Sequence, residues 1–183
     1  MENEFVYRRL AEHEITLGLF SAFERRQVVT KCWRKNGGQW QIQEDPFVDQ
    51  WDTADYAELV RCLRNTVRTG GVVYGAFGGG VLKGFVSVEA EPLELQGNYL
   101  DLTSLHVSED CRRAGAGTAL FRLAAAWAKA QGAEKLYISS HSAAETQAFY
   151  RGIGCRDALQ RHAGHTAAEP FDCQLEFDLE TVL

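Results

Sequence analysis

The sequence of 183 residues has no uninterrupted apolar run that approaches the ~20 residues of a membrane-spanning helix. It has no excess of positive charge either. Its formal net charge is −6, which argues against nonspecific nucleic-acid binding and mildly favours cationic partners. There is no C-x-x-C, and the five cysteines, Cys32, Cys62, Cys111, Cys155 and Cys173, are odd in number and widely spread. That is no disulfide framework, and a reducing cytoplasm is the expected compartment. The acidic start Met1-Glu2-Asn3-Glu4 lacks the features of a signal peptide. Repeats, low-complexity tracts and linkers are absent. The remaining composition, 45% hydrophobic and 24% charged, is ordinary for a soluble globular protein. One domain over residues 1–183 is expected.

The chain alternates strand and helix signals. Phe5 to Leu10 reads as a strand and residues 14–24 as a helix. Gln27 to Lys35 and Gly38 to Gln43 read as strands joined by Asn36-Gly37, the dipeptide favoured in two-residue hairpin turns. That turn pairs Lys35 with Gly38 and sets Trp33 across from Trp40, where aromatic pairs stabilise a ribbon. Residues 53–69 form an amphipathic helix. Val72 to Phe77 and Val81 to Val88 are strands around Gly78-Gly79-Gly80, and Tyr99 to Val107 is the next strand. Then come a helix from Gly117 to Ala130, a strand from Lys135 to Ser139 and a helix from Ala143 to Arg151. Cys155 to Leu159 and Asp172 to Phe177 read as final strands. The order implies a mixed α/β sheet with one central parallel pair.

Chemistry concentrates between the strand ending at Val107 and the helix starting near Gly117. Arg112, Gly115 and Gly117 form R-x-x-G-x-G in that turn. Backbone N–H groups at a helix start lack intrahelical partners, and the helix dipole adds partial positive charge. Glycine removes the Cβ that would hold a ligand away. The turn therefore suits a phosphate or pyrophosphate, gripped by the segment Arg112, Arg113, Ala114, Gly115, Ala116, Gly117 and Thr118. No Lys-Ser or Lys-Thr follows the glycines as in a P-loop.

Together with Ala148-Phe149-Tyr150 and Gly154 further on, Val107 to Gly117 resembles the GNAT superfamily of acetyl-CoA-dependent N-acetyltransferases. The family reads V-x-x-x-x-[QR]-x-x-G-x-[GA], and later A-x-x-F-Y-x-x-x-G-F. Here Ala148 directly precedes Phe149, and Cys155 stands in place of the final Phe. The resemblance covers residues 72–160. It implies a mixed, mostly antiparallel central sheet with a central parallel pair and flanking helices, to which the 27–43 hairpin is an N-terminal addition. It also implies acetyl-CoA as co-substrate and a primary amine as acceptor. The pantetheine arm would lie along Leu105, His106 and Val107, with the Val107 N–H polarising the acetyl carbonyl. Phe149 and Tyr150 would flank the cofactor, and Tyr150 would protonate the leaving thiolate.

Asp101 is the candidate base. It lies six residues before Val107, an even step that puts both side chains on one strand face and His106 on the other. The alternative reading is an Asp at the strand's exposed start, and Glu89 on the neighbouring strand is the second candidate base. Trp33 and Trp40, with Glu44, Asp45, Asp49 and Asp52 nearby, either line a pocket for a small cationic amine or simply pack on the domain. A protein amine remains open as acceptor, as does a homodimer. No metal is expected. Cys155, His162, His165 and Cys173 can be drawn as a zinc set, but their spacing matches no familiar one. The competing function is a non-catalytic acyl-CoA sensor or scaffold. The pair Asp101 and Tyr150 weighs against it.

Overall fold

The computed structural model describes residues 5–181. Seven strands form one sheet: β1 (Val6–Arg9), β4 (Val72–Gly78), β5 (Val81–Val88), β6 (Tyr99–Val107), β7 (Lys135–Ser140), β9 (Cys173–Asp178) and β8 (Arg156–Asp157), in the order β1-β4-β5-β6-β7-β9-β8. Only β6 and β7 pair in parallel; the other neighbours are antiparallel. A separate two-stranded ribbon is built from β2 (Arg26–Asn36) and β3 (Gln39–Gln50). The mixed sheet with its central parallel pair and added hairpin is the architecture the motif order implies.

Each sheet face has its own cover. On one lies α2 (Ala116–Ala130), which buries Leu120, Phe121, Ala124, Ala125 and Ala128 against Val86, Val88, Leu100, Leu102, Leu136 and Ile138. On the other, α1 (Thr53–Arg68) brings Leu59 and Leu63 to Phe20, Phe23, Leu82 and Phe85. The helix α1 starts where Asp52 accepts from the N–H groups of Ala54 and Asp55 while Asp55 accepts from Asp52, a reciprocal cap. Residues 14–24 do not form the expected helix. Thr16 is extended and its hydroxyl caps Leu19, so the segment breaks into 3₁₀ turns at Glu12–Glu14 and Leu17–Phe20.

The ribbon's register differs from expectation. Asn36 pairs with Gln39, and Gly37 and Gly38, both at positive φ, form the turn. Two glycines reach that conformation with less strain than Asn36 and Gly37 would. Trp40 therefore lies opposite Lys35 and Trp33 opposite Ile42, leaving the tryptophans as diagonal neighbours with centroids 6.5 Å apart. The ribbon also runs beyond Gln43 to Gln50. It is tied to the domain where Trp33 N–H donates to the Ser142 carbonyl at 2.7 Å and Cys32 bridges to Ala143. Near the C-terminus, pairing between Cys155 and Leu159 shrinks to Arg156–Asp157. An unexpected helix α4 (Ala163–Ala168) follows α3 (Ala144–Gly152) in the chain.

Candidate active site

The parallel pair opens a cleft. β6 and β7 partner only from Tyr99 with Lys135 to Asp101 with Tyr137. Beyond Asp101, β6 stays with β5 and β7 stays with β9, so the two strands part. Their separated edges line a cleft of about 630 Å³. It is completed by the 111–118 turn, by Ala148, Phe149 and Tyr150 of α3, and by Arg25 and Gln27 at the ribbon's base.

One edge of β6 is available to that cleft. Ser108 N–H donates to the Lys83 carbonyl on the β5 side at 2.8 Å. Backbone groups alternate along a strand, so the N–H groups of Val107 and Leu105 point the other way, toward the cleft.

A bulge changes which residues share a face. Ser87 pairs with Ser104 but Val88 pairs with Leu102, which makes Thr103 the extra residue. Leu100 and Leu102 before the bulge and Leu105 after it all belong to the core under α2. Val107 lies there too, its Cγ2 3.6 Å from where a Cβ on Gly117 would sit. Asp101 is therefore on the face opposite Val107, not on the same one. It shares that face with His106, whose ring packs on Phe85 and Trp51 with centroids at 5.4 and 4.8 Å. Arg25 Nε donates to His106 Nδ1 at 3.2 Å. Burial first, then the Arg25 and Arg112 cations, lower the His106 pKa to about 3, so the ring is neutral. Its backbone lines the cleft while its side chain packs.

The two motif glycines differ in surroundings. Gly115 caps α2 at φ 83° and faces open space, with nothing within 4 Å of a built Cβ. The N–H groups of Ala116, Gly117 and Thr118 precede the Ala119-to-Gly115 bond and lack intrahelical acceptors. Gly117 instead lets the Phe149 ring close in, since a Cβ there would sit 3.3 Å from it. Arg113 lines the cleft and is the described non-glycine residue with positive φ, at 64°, whereas Ala114 is not part of the lining. The Arg112 side chain donates to the Arg26 carbonyl, linking the turn to the ribbon.

Tyr150 is 6% exposed, packed on Phe149 and Phe121, and its ring borders the cleft. Its hydroxyl has no hydrogen-bond partner among the described residues, and burial raises its pKa. It stays a phenol at neutral pH and can donate. Asp101 is 5% exposed at the last paired position before the strands part. Its Oδ2 lies 2.6 Å from His165 Nε2, while Oδ1 is buried without a partner. Glu89 Oε1 accepts from the Thr66 hydroxyl at 2.5 Å and from Thr103 at 3.4 Å, beside the bulge.

The ribbon's acidic residues are largely matched by arginines. Asp49 pairs with Arg25 at 2.7 Å and Asp45 pairs with Arg34. Trp33 and Trp40 pack toward the core under α2, with Arg151 of α3 over the Trp33 ring at 4.8 Å. Among the described residues no group of three or more His, Cys, Asp or Glu is placed to hold a metal ion. Cys155 and Cys173 lie in the core, whereas His162 and His165 flank Tyr137 on the other sheet face. Sequence reasoning missed Arg25, His141 and the His165 partnership. Arg25 and His141 sit in segments without a motif, and His165 sits on the unexpected α4.

A family model described as the acetyltransferase (GNAT) family matches residues 38–155, which include the splayed strands, the 111–118 turn and α3. The chain belongs to the GNAT acetyltransferase family. Solved structures agree on the fold. A putative streptothricin acetyltransferase from Bacillus anthracis, solved with acetyl coenzyme A, matches at TM-score 0.69 and 15% identity, over 94% of this chain and 96% of that one. Nourseothricin acetyltransferase matches at TM-score 0.66 and 18% identity, over 94% and 95%. A PaiA N-acetyltransferase from Thermoplasma acidophilum, solved with coenzyme A, matches at TM-score 0.59 and 15% identity, over 96% and 99%. Comparison with curated proteins gives no match.

Proposed function

We propose that the protein is an N-acetyltransferase that moves the acetyl group of acetyl-CoA directly to a primary amine. The observation that carries this reading is the parting of β6 and β7 at Asp101, which brings a free main-chain donor, a phenol and a carboxylate to one cleft or its apex. Acetyl-CoA supplies the activated thioester. The N–H groups at the start of α2, with Arg113 beside them, take its pyrophosphate. The free edge of Leu105 to Val107 takes its pantetheine arm as an added strand. The Val107 N–H is fixed before reaction and stabilises charge developing on the acetyl oxygen with little reorganisation. The amine nitrogen bonds to the acetyl carbon as the carbon–sulfur bond breaks. Tyr150 donates its proton to the departing sulfur and regains one from the acylated nitrogen, while the first proton lost by the incoming ammonium passes to Asp101.

Direct transfer fits the cysteines. Cys111, at the cleft, and Cys155 are buried, which raises both thiol pKa values, Cys155 to about 12. Neither offers the thiolate that a covalent acyl-enzyme needs. The acceptor enters from the face that carries Asp101 and Glu89, whose carboxylates attract an ammonium ion. We place a small cationic amine there. The test is thiol release from acetyl-CoA across a panel of polyamines, amino sugars, amino acids and lysine peptides. Turnover with one class supports the reading. Tight acetyl-CoA binding with no turnover on any class overturns it in favour of a sensor.

A further inference from the structure

We propose that His165 and Asp101 act as one proton-accepting dyad, in which His165 is the positioning residue that sends the amine's proton to water. The inference rests on the reading of Asp101 as base and adds the partner that governs it.

The geometry carries it. Asp101 is the last β6 residue paired with β7 before the strands part, next to the residues that line the cleft, and its Oδ2 is engaged by His165 Nε2 at 2.6 Å while Oδ1 stays buried and unpartnered. One oxygen is thus held, and the other is free to receive an N–H. His165 is oriented from three sides. Its ring stacks on Tyr137 with centroids 5.8 Å apart and planes 18° off parallel. The His162 ring is 5.0 Å away, and His162 Nδ1 accepts the His165 backbone N–H at 3.3 Å. The His165 side chain is 26% exposed, whereas that of Asp101 is 7% exposed, so the imidazole is the route outward.

The balance is simple. The resting dyad is a carboxylate and a neutral imidazole, net −1. The N–H bond of the ammonium breaks and its proton joins the dyad, which becomes a carboxylate–imidazolium pair, net 0. Nδ1 of His165 then releases a proton to water, which leaves the Nε2–H tautomer donating to Asp101, and proton exchange with water restores the Nδ1–H form for the next turnover. The hydrogen bond that His165 donates to the Asp101 carboxylate favours the imidazolium, as does that carboxylate's charge, while burial opposes it, and the net effect raises the His165 pKa. The other ionisable groups around the dyad are Tyr137 on β7, His162 and Arg161 before α4, and Glu169 and Asp172 after it. At a pH below the raised pKa the dyad already holds its proton and cannot take another. The acidic limb of turnover therefore belongs to His165 and lies above the ~6.5 of a free histidine.

The experiment measures kcat against pH with one competent amine for the native chain, His165→Asn and Asp101→Asn. The amine's own ionisation is then common to all three. The His165 imidazole is followed in parallel by NMR titration. We expect the native limb above pH ~6.5 and a limb displaced to lower pH for His165→Asn, where the imidazole is gone. Asp101→Asn should lower the pKa seen by NMR and remove most turnover. A His165→Asn limb that stays where the native one lies, with only the melting temperature changed, makes His165 a strut and overturns the proposal. If Asp101→Asn shifts the NMR titration but leaves kcat intact, the pair exists and Asp101 is not the base, so the underlying reading fails instead. Should His165→Asn not fold, His165→Gly with added imidazole replaces it. Rescue of turnover with a limb set by the added imidazole supports the dyad, and lack of rescue in a folded protein overturns it.

Discussion

Adding a side chain at Gly115 separates backbone strain from ligand exclusion. Gly115 has φ 83° and no atom within 4 Å of a built Cβ, so the unliganded fold offers no clash. The left-handed conformation alone costs an ordinary L-residue about 1–2 kcal/mol, and asparagine less. Gly132 follows the other end of α2 with the same φ of 83° and the same empty surroundings, outside the cleft lining. Gly115→Asn and Gly132→Asn should therefore lose similar stability. At ~1 kcal/mol each, both melting temperatures fall by roughly 2–4 °C for a chain of this size. Only Gly115→Asn puts a side chain where the phosphates approach the N–H groups of Ala116 to Thr118. Losing one hydrogen bond to a charged group costs about 1.5–3 kcal/mol. Acetyl-CoA affinity should then fall roughly tenfold to a hundredfold, read by calorimetry. Equal affinity in the two variants would refute the placement of the phosphates at this helix start.

Tyr150→Phe should lower kcat by about a hundredfold or more, the usual worth of a positioned acid, with acetyl-CoA affinity nearly unchanged in the same titration. Unchanged kcat would leave Tyr150 as a core aromatic. Glu176 is fully buried and opposed by that burial, yet Lys135 and Arg156 at 3.0 Å, the Tyr99 hydroxyl and the Leu159 N–H hold its pKa low. Glu176→Gln should cost roughly 3 kcal/mol at pH 7. Because its folded pKa is depressed, the native advantage is full above ~4.3 and fades as pH falls through the lower folded value; melts at pH 7 and pH 3 check that the gap narrows. Trp33→Ala removes the half-buried ring beneath Arg151 and should cost about 2 kcal/mol of stability. A raised KM for the amine at constant melting temperature would return Trp33 to the acceptor site.

The strand-to-helix turn and the strand before it were legible because their residue types are dictated locally: Gly115 starts α2 at φ 83°, a conformation that glycine reaches without strain. The parallel pair was legible from strand–helix–strand order. The 14–24 segment was not, because Thr16 spends its hydroxyl on a cap and breaks a run whose apolar spacing alone suits a helix. The ribbon register slipped because Asn36-Gly37 and Gly37-Gly38 are both acceptable turns, and the choice depends on what the strands touch. The helix α4 has no apolar periodicity to read. It is held instead by His162, which receives the His165 N–H and whose own N–H donates to the Tyr137 hydroxyl at 2.8 Å.

The bulge at Thr103 is the feature that alternation could not foresee, and it is central to the site. Along a regular strand the leucines at 100 and 102 would put Val107 on the opposite face from themselves. One extra residue returns Leu105 and Val107 to the side of α2, where Phe149 and Gly117 lie. It does so without moving Asp101 off the polar face, where His165 and Tyr137 receive it. Had the pairing stayed regular with Val107 in place, Asp101 would point into the core among Leu120 and Ala124. An unpaired carboxylate there costs several kcal/mol, a large part of the ~5–15 kcal/mol by which a domain is stable. One inserted residue thus lets a single strand turn a free main-chain donor edge toward the cleft and keep a carboxylate on the opposite face of the sheet.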